Sequence, residues 1–301
     1  MHNITGWLNI NKPIGISSMG ALIKLKKLLP KQKIGHAGTL DPMAYGVLPI
    51  AFNQTTRLIE FCVGLDKCYK FSVKMGASTD TYDAEGKITQ ECAYIPSKEI
   101  LLQKCKEFIG TIKQIPPIYS AIKINGQRAY DLARAGKEEP EMFARSITIM
   151  DLKLISYSME NKTAGFIVNC SKGTYVRSLA YDIMKNCSSL GYVIDLARIA
   201  VGEFKLENAI NLAELTKIDL FTSKNVIYNS ILRPEYVLKQ LSYFQEITIN
   251  VSQLRDVWCG KIIELDHSDS DSVWLSHNDQ LVSVGSIVDS KFIVKKNFNL
   301  N

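Results

Sequence analysis

No C-x-x-C pair occurs in this chain, although cysteines stand at positions 62, 68, 92, 105, 170, 187 and 259. Their spacing forms neither a disulfide framework nor a zinc pattern, so they read as the reduced thiols of a cytosolic protein. No stretch reaches the ~18–20 apolar residues that a membrane span requires. The N-terminal "MHNITGWLNINKP" lacks a basic segment followed by a long apolar run. A cytoplasmic protein with no membrane partner is the expectation. Three signatures are missing as well: there is no G-x-S-x-G and no G-x-G-x-x-G, and "GISSMG" has phosphate-loop glycine spacing but continues Ala-Leu where Lys-Ser/Thr is required. Serine hydrolase, dinucleotide dehydrogenase and P-loop nucleotidase all lose support. Internal repeats and low-complexity linkers are absent too.

What is present is a 301-residue chain, 46% hydrophobic and 22% charged, long enough for one large domain and a small one. Thirty-six basic residues against 30 acidic leave a net charge of +6, a mild attraction to polyanions such as nucleic acid. Lysines 24, 26, 27, 31 and 33 cluster in "KLKKLLPKQK", and Lys123, Arg128, Arg134 and Lys137 follow in a later segment. Any one of these is by default a solvated cation; together they favour contact with RNA phosphates.

Helical and strand periods alternate along the first 240 residues. Ser17 is an N-cap for "SMGALIKLKKLLP", with Leu22, Leu25 and Leu29 on one face before Pro30 stops it. "KCYKFSVKMG" alternates as a strand with Tyr69, Phe71, Val73 and Met75 on one side. "KEILLQKCKEFIGTIKQ" reads as a helix that turns Leu101, Leu102, Cys105, Phe108 and Ile109 inward. "IPPIYSAIKINGQRAYDLARAG" carries an Asn-Gly turn at 125 and 126 and a short helix closed by Gly136. A strand at "GFIVNCSKG" feeds directly into a helical "TYVRSLAYDIMKN", a common way of presenting polar groups at a site. Beyond about residue 240, "EITINV", "KIIEL", "SVWLS", "QLVSVGSIV" and "FIVKK" read as a small all-β module. In "TDTYD", Asp80 and Asp83 suit a turn better than a metal site, because no further oxygen ligands are evident.

The stretch "GHAGTLDPMAYGVLPI", residues 35–50, holds a single acid, Asp41, before a proline. An Asp-Pro step alone is an ordinary turn cap. The whole string, however, closely resembles the catalytic motif of the bacterial tRNA pseudouridine-55 synthases, the TruB family. "GWLNINKPIGISS" is similar to that family's N-terminal strand and turn, and "KCYKFSVKMGASTDTYDAEG" to its second motif. "QIPPIYSAIKINGQRAYDLARAG" resembles its RNA-gripping insertion, "CSKGTYVRSLAYDI" its third motif, and "GYVIDLARIAVGEF" continues the likeness to about residue 205.

The resemblance implies an α+β fold: a mixed, mainly antiparallel sheet of the pseudouridine synthase type. It implies a catalytic domain over 1–240, with a thumb-like insertion at about 116–141, and a β-rich, PUA-like RNA-binding module over 241–301. It also implies that uridine-55 in the T-loop of tRNA is isomerised by a monomer that needs no protein partner. The reaction rearranges one nucleotide internally, so no cofactor or metal is required. Asp41 is then the essential carboxylate; attack on C1′, addition to the base and removal of the 2′ proton all remain open to it. Charge in a water-poor pocket needs a counter-charge, which Arg177 matches, its guanidinium holding the acid oriented. Tyr69 matches the ring that stacks on the target uracil, with a hydroxyl suited to assist the last proton removal. Tyr175 and Leu196 match the remaining pocket positions, and His36 a wedge that fills the space left by the flipped nucleotide. Many members read Leu-Arg-Arg where this chain has Leu196, Ala197 and Arg198, a departure that removes one cation expected near the RNA. Two alternatives stand beside this reading: a non-catalytic tRNA-binding and folding factor, and the same isomerisation on another RNA.

Overall fold

The computed structural model describes residues 4–120, 123–124, 127–128 and 142–299. The Asn-Gly turn at 125–126, the helix closed by Gly136, and Arg134 and Lys137 lie outside the described residues.

Strands β1 (Gly6–Lys12), β2 (Ile34–His36) and β3 (Tyr45–Phe52) surround helix α1 (Ser18–Leu28) in the chain. The Ser17 side chain accepts from Gly20 N and caps α1, as expected, and Ala21, Leu22 and Leu25 are buried beneath it. After α2 (Ile59–Gly64) come β4 (Lys67–Met75), the small pair β5 (Ala77–Thr79) and β6 (Ile88–Glu91), α3 (Lys98–Lys106) and β7 (Gly110–Gln114). Two-residue strands β8 (Lys123–Ile124) and β9 (Gln127–Arg128) pair antiparallel with each other. The chain continues with β10 (Arg145–Ser158), β11 (Thr163–Cys170), α4 (Val176–Asn186), β12 (Gly191–Val201), β13 (Phe204–Lys205) and β14 (Ile210–Asn211). Short helices α5 (Leu212–Leu215) and α6 (Leu220–Asn229) close it.

The large sheet runs β14-β1-β3-β12-β4-β11-β10-β7, with β2 beside β3 and β13 beside β12. Its pairings are antiparallel apart from β1 with β14 and β12 with β3, the mixed sheet that the resemblance implies. β3 is buried along nearly all its length, which explains the apolar run after Asp41. On one face Phe71, Val73, Phe166 and Val168 meet Leu101, Leu179 and Ile183 from α3 and α4; a separate cluster joins Leu8, Ile10, Leu48 and Ile50 to α1.

The long helix expected at "KEILLQKCKEFIGTIKQ" is shorter. α3 ends at Lys106, Gly110 takes φ +110°, and "GTIKQ" becomes strand β7. Leu101 and Cys105 do point inward, but Leu102 and Ile109 are exposed. Pairing of Gln114 through Gly110 with Arg145 through Ile149 supplies the hydrogen bonds that a longer helix would have made.

The C-terminal segment forms a five-stranded sheet, ordered β15 (Gln245–Thr248), β17 (Ser270–His277), β18 (Gln280–Val288), β19 (Lys291–Asn297), β16 (Ile263–Glu264). It also carries a helix that the all-β reading did not include, α7 (Val251–Trp258), whose N-terminus is a capping box of Asn250 and Gln253. Trp274, Leu281, Val284 and Phe298 of this segment share one buried cluster with Trp7, Val47, Leu58 and Phe204 of the large sheet's side.

Candidate active site

Three adjacent strands bring the sequence-predicted residues together. β12 lies parallel to β3, with Arg198 opposite Gly46, and antiparallel to β4, with Arg198 opposite Tyr69 and Leu196 opposite Phe71. Asp41 sits in the loop that leads into β3, and β11, next to β4, runs out through Ser171–Tyr175 into α4 and Arg177. Pairing alone therefore gathers residues that are distant in the chain.

All of them except His36 line one cavity of about 330 Å³, bounded by Asp41, Tyr69, Ser120, Tyr175, Arg177, Leu196 and their neighbours. That volume suits one small group better than an extended ligand. Arg177 Nε lies 2.9 Å from Asp41 Oδ2; the arginine side chain is 5% exposed and the carboxylate 37%. The charge-assisted pair is thus buried on the cation's side and open on the acid's.

The guanidinium has further partners. Arg177 Nη1 lies 3.3 Å from Asp83 Oδ2, whose side chain is 4% exposed, and donates to Thr81 O at 3.0 Å. Arg177 Nη2 donates to Tyr119 O at 2.9 Å. Asp83 is held in turn, its Oδ1 accepting from Thr81 Oγ1 at 2.6 Å and from Glu85 N at 3.0 Å. A buried guanidinium with two carboxylates and two carbonyls has its orientation over-determined. Asp80 and Asp83 both take the turn role that the sequence suggests, Asp80 accepting from Lys87 N and Asp83 from Glu85 N, and Asp83 in addition pairs with Arg177.

The loop around Asp41 is fastened from several sides. Ser18 Oγ accepts from Leu40 N at 2.8 Å and donates to Leu40 O at 3.2 Å, tying the start of α1 to the residue before the acid. Pro42 O accepts from Gly15 N at 2.8 Å, and Ala44 N donates to Asp41 O at 3.1 Å. Lys12, wholly buried, donates to Pro13 O at 2.9 Å and Ile16 O at 2.7 Å. Burial pulls its ammonium pKa down to about 8, opposed by the nearby Asp41 charge.

Tyr69 forms one wall, with its hydroxyl pKa raised by burial and pulled back by the Arg198 cation. Leu196, buried, forms an apolar stretch of the lining. Tyr175 caps α4 from a position fixed by Gln114: Gln114 Oε1 accepts from Tyr175 N at 2.8 Å and Gln114 Nε2 donates to Tyr175 O at 3.1 Å. Its phenol pKa is also pushed up by burial.

His36 stands apart. It ends β2, opposite Ile50, and does not line the cavity. Burial, reinforced by Arg198, lowers its pKa, so a neutral ring is favoured. Lys26, Lys27, Lys31 and Lys33 are exposed, as a phosphate-facing patch requires. Arg198 is not part of that patch: it is 1% exposed, and its guanidinium bonds main-chain carbonyls around the Asp41 loop.

Lys12, Asp83 and Arg198 are the site residues that sequence reasoning missed. Lys12 left a faint signal, a lysine ending a strand that carries no other charge. Asp83 and Arg198 left none, because their partners lie far along the chain. No group of His, Cys, Asp or Glu among the described residues is arranged to hold a metal ion.

A model of the TruB family pseudouridylate synthase N-terminal domain matches residues 26–176. A tRNA pseudouridine synthase B of Rickettsia bellii is 43% identical over 298 residues, covering 98% of each chain. Its counterpart in Rickettsia felis is 44% identical over 258 residues, covering 82% of this chain and 76% of that one. Among solved structures, a chain of a Cbf5-Nop10-Gar1 complex superimposes with a TM-score of 0.73 at 24% identity, over 99% of this chain and 85% of that one, a likeness of fold. Family motif, full-length relatives and a shared sheet agree: the chain belongs to the TruB family of pseudouridylate synthases.

Proposed function

We propose that this protein isomerises uridine to pseudouridine in tRNA, at position 55 of the T-loop, acting as a monomer on a flipped base. The carrying observation is the Asp41–Arg177 pair, one half-open carboxylate held by a buried guanidinium at the wall of a base-sized cavity. The names of the relatives, tRNA pseudouridine synthase B, support the substrate class.

The chemistry suits a single acid. The N1–C1′ bond breaks, the C5–C1′ bond forms, C5 gives up a proton and N1 takes one, so the reaction balances without cofactor or metal. Asp41 faces the sugar and base and is the catalytic group. Arg177 fixes its direction and balances its charge. Tyr69 stacks on the uracil, Leu196 closes the opposite side, and Tyr175 lies beside the ion pair. Between cleavage and rejoining, these walls keep the detached base from escaping while it turns. In this reading the Tyr69 hydroxyl helps to remove the C5 proton. His36, outside the cavity, fills the gap that the flipped nucleotide leaves in its loop. Flipping costs a few kcal/mol, and stacking on an aromatic side chain returns about 1–3 kcal/mol per base.

In the same reading, residues 1–240 form the catalytic domain, 241–301 an RNA-binding module, and the enzyme works in the cytoplasm. No described helix is long and apolar enough to cross a membrane. The test is mass analysis of a T-loop hairpin after incubation with the pure protein. Wild type is expected to convert uridine-55 and to leave a hairpin with that uridine replaced unchanged, while Asp41→Asn binds RNA without turnover. Product formation by Asp41→Asn would remove the acid from the mechanism, and no product from wild type would leave a tRNA-binding factor.

A further inference from the structure

Arg198 is a buried cation, and among the described residues no carboxylate lies within ion-pair distance of it. A lone charge in the interior is costly unless dipoles surround it. Here the dipoles are main-chain carbonyls: Nε donates to Val47 O at 2.8 Å, Nη2 to Gly38 O at 3.0 Å and Nη1 to Thr39 O at 3.4 Å. These acceptors are not scattered. Gly38 and Thr39 stand just before Leu40 and Asp41, and Val47 stands just after the loop, inside β3. One planar guanidinium therefore clips both ends of the loop that carries the acid to the strand that carries Leu196.

The backbone is shaped for this clip. Gly46, opposite Arg198 in the parallel pairing, has φ +112°, and a Cβ there would sit 2.3 Å from Arg198 O. A Cβ on Gly38, at φ +101°, would lie 3.4 Å from Arg198 Nη1. On its other side Arg198 is paired in register with Tyr69. Arg177 orients the Asp41 side chain but touches neither end of its loop.

Resting on the reading of this cavity as the pseudouridine-forming site, we propose that Arg198 is a positioning residue for the reaction. Its guanidinium locks the main chain on both sides of Asp41, and its strand is paired in register with Tyr69, so that acid and stacking ring keep one spacing. Lysine keeps the charge but has a single nitrogen, which cannot span acceptors at both ends of the loop.

The test compares full-length wild type, Arg198→Lys and Arg198→Ala on one T-loop hairpin. Three quantities are read: RNA affinity, single-turnover conversion, and amide hydrogen exchange over residues 38–47. Affinity is expected to stay at the wild-type level. Conversion should fall by about 10²-fold, the scale of an ångström of misplacement. Exchange over 38–47 should quicken in both variants, and free guanidinium should restore part of the rate of Arg198→Ala where ammonium does not.

Wild-type exchange over 38–47 in a folded Arg198→Lys overturns the bracing role whatever the activity. So does an undiminished rate, and so does an affinity loss as large as the rate loss, which would make Arg198 an RNA-binding cation. Should Arg198→Ala fail to fold, Arg198→Lys carries the comparison. No product from wild type would overturn the functional reading instead, and the exchange measurement would still decide whether Arg198 braces the loop.

Discussion

At the scale of single residues, the site turns on how charge is distributed around Arg177. Asp41 and Asp83 contact the same guanidinium, yet only Asp41 opens to the cavity. Asp83 is an anchor for the cation, and the cation is an anchor for the acid. In Asp83→Asn the buried guanidinium loses a full counter-charge but keeps its Thr81 and Tyr119 carbonyls. Breaking a buried pair by removing one partner costs about 3–5 kcal/mol, less where hydrogen bonds survive. The thermal midpoint should fall, and turnover should fall further than RNA affinity; an unchanged rate would show that Arg177 needs no second carboxylate. The motif string with Tyr69 and Arg177 was legible in the sequence because those residues sit in distinctive local contexts. Asp83 was not, because an aspartate in "TDTYD" looks like any turn former until α4 is folded against it.

At the scale of elements, the acid's position is set by fastenings between units. α1 begins beside the Asp41 loop, and Ser18 Oγ makes two hydrogen bonds to the main chain of Leu40. Ser18→Ala should leave α1 capped by Ser17 but strand two buried main-chain groups, at about 1–3 kcal/mol for each unsatisfied group. Thermal unfolding measures that loss, and turnover should drop with it; Ser17→Ala, which touches only the cap, should lower stability without a comparable loss of rate. The sequence signalled α1, β4, β11 and α4 through periodicity and caps. It misplaced the end of α3, since a chain that satisfies its hydrogen bonds by joining β10 has no local mark of doing so. It also passed over α7, whose eight residues are too short for periodicity to stand out among strands.

At the scale of the whole molecule, the C-terminal sheet is welded to the rest. Trp274 and Phe298 share a core with Trp7 and Leu58. Polar contacts reinforce it: Arg57 donates to Asn297 O, Lys296 pairs with Glu60, and the Arg57 guanidinium lies 5.3 Å over the Phe298 ring. Two units with a common core unfold together. Trp274→Ala should cost about 3–5 kcal/mol and shift one calorimetric transition as a whole. Two separated transitions, with only the later segment destabilised, would show that the modules fold independently.

The sequence by itself determined the family and singled out Asp41, Tyr69 and Arg177, because each lies in a contiguous motif that resembles the family's. It also determined that the last sixty residues differ in kind from those before them. Only the tertiary structure decided which charged residues are exposed and which face inward. Arg198 illustrates this: in the chain it is a single cation within the mostly apolar "VIDLARIAV", and in the fold it is buried against three carbonyls. The physical reason is that burial, and with it the cost or use of a charge, depends on which strands become neighbours. That choice is made by the pairing of β3, β12 and β4, and no short stretch of sequence contains it.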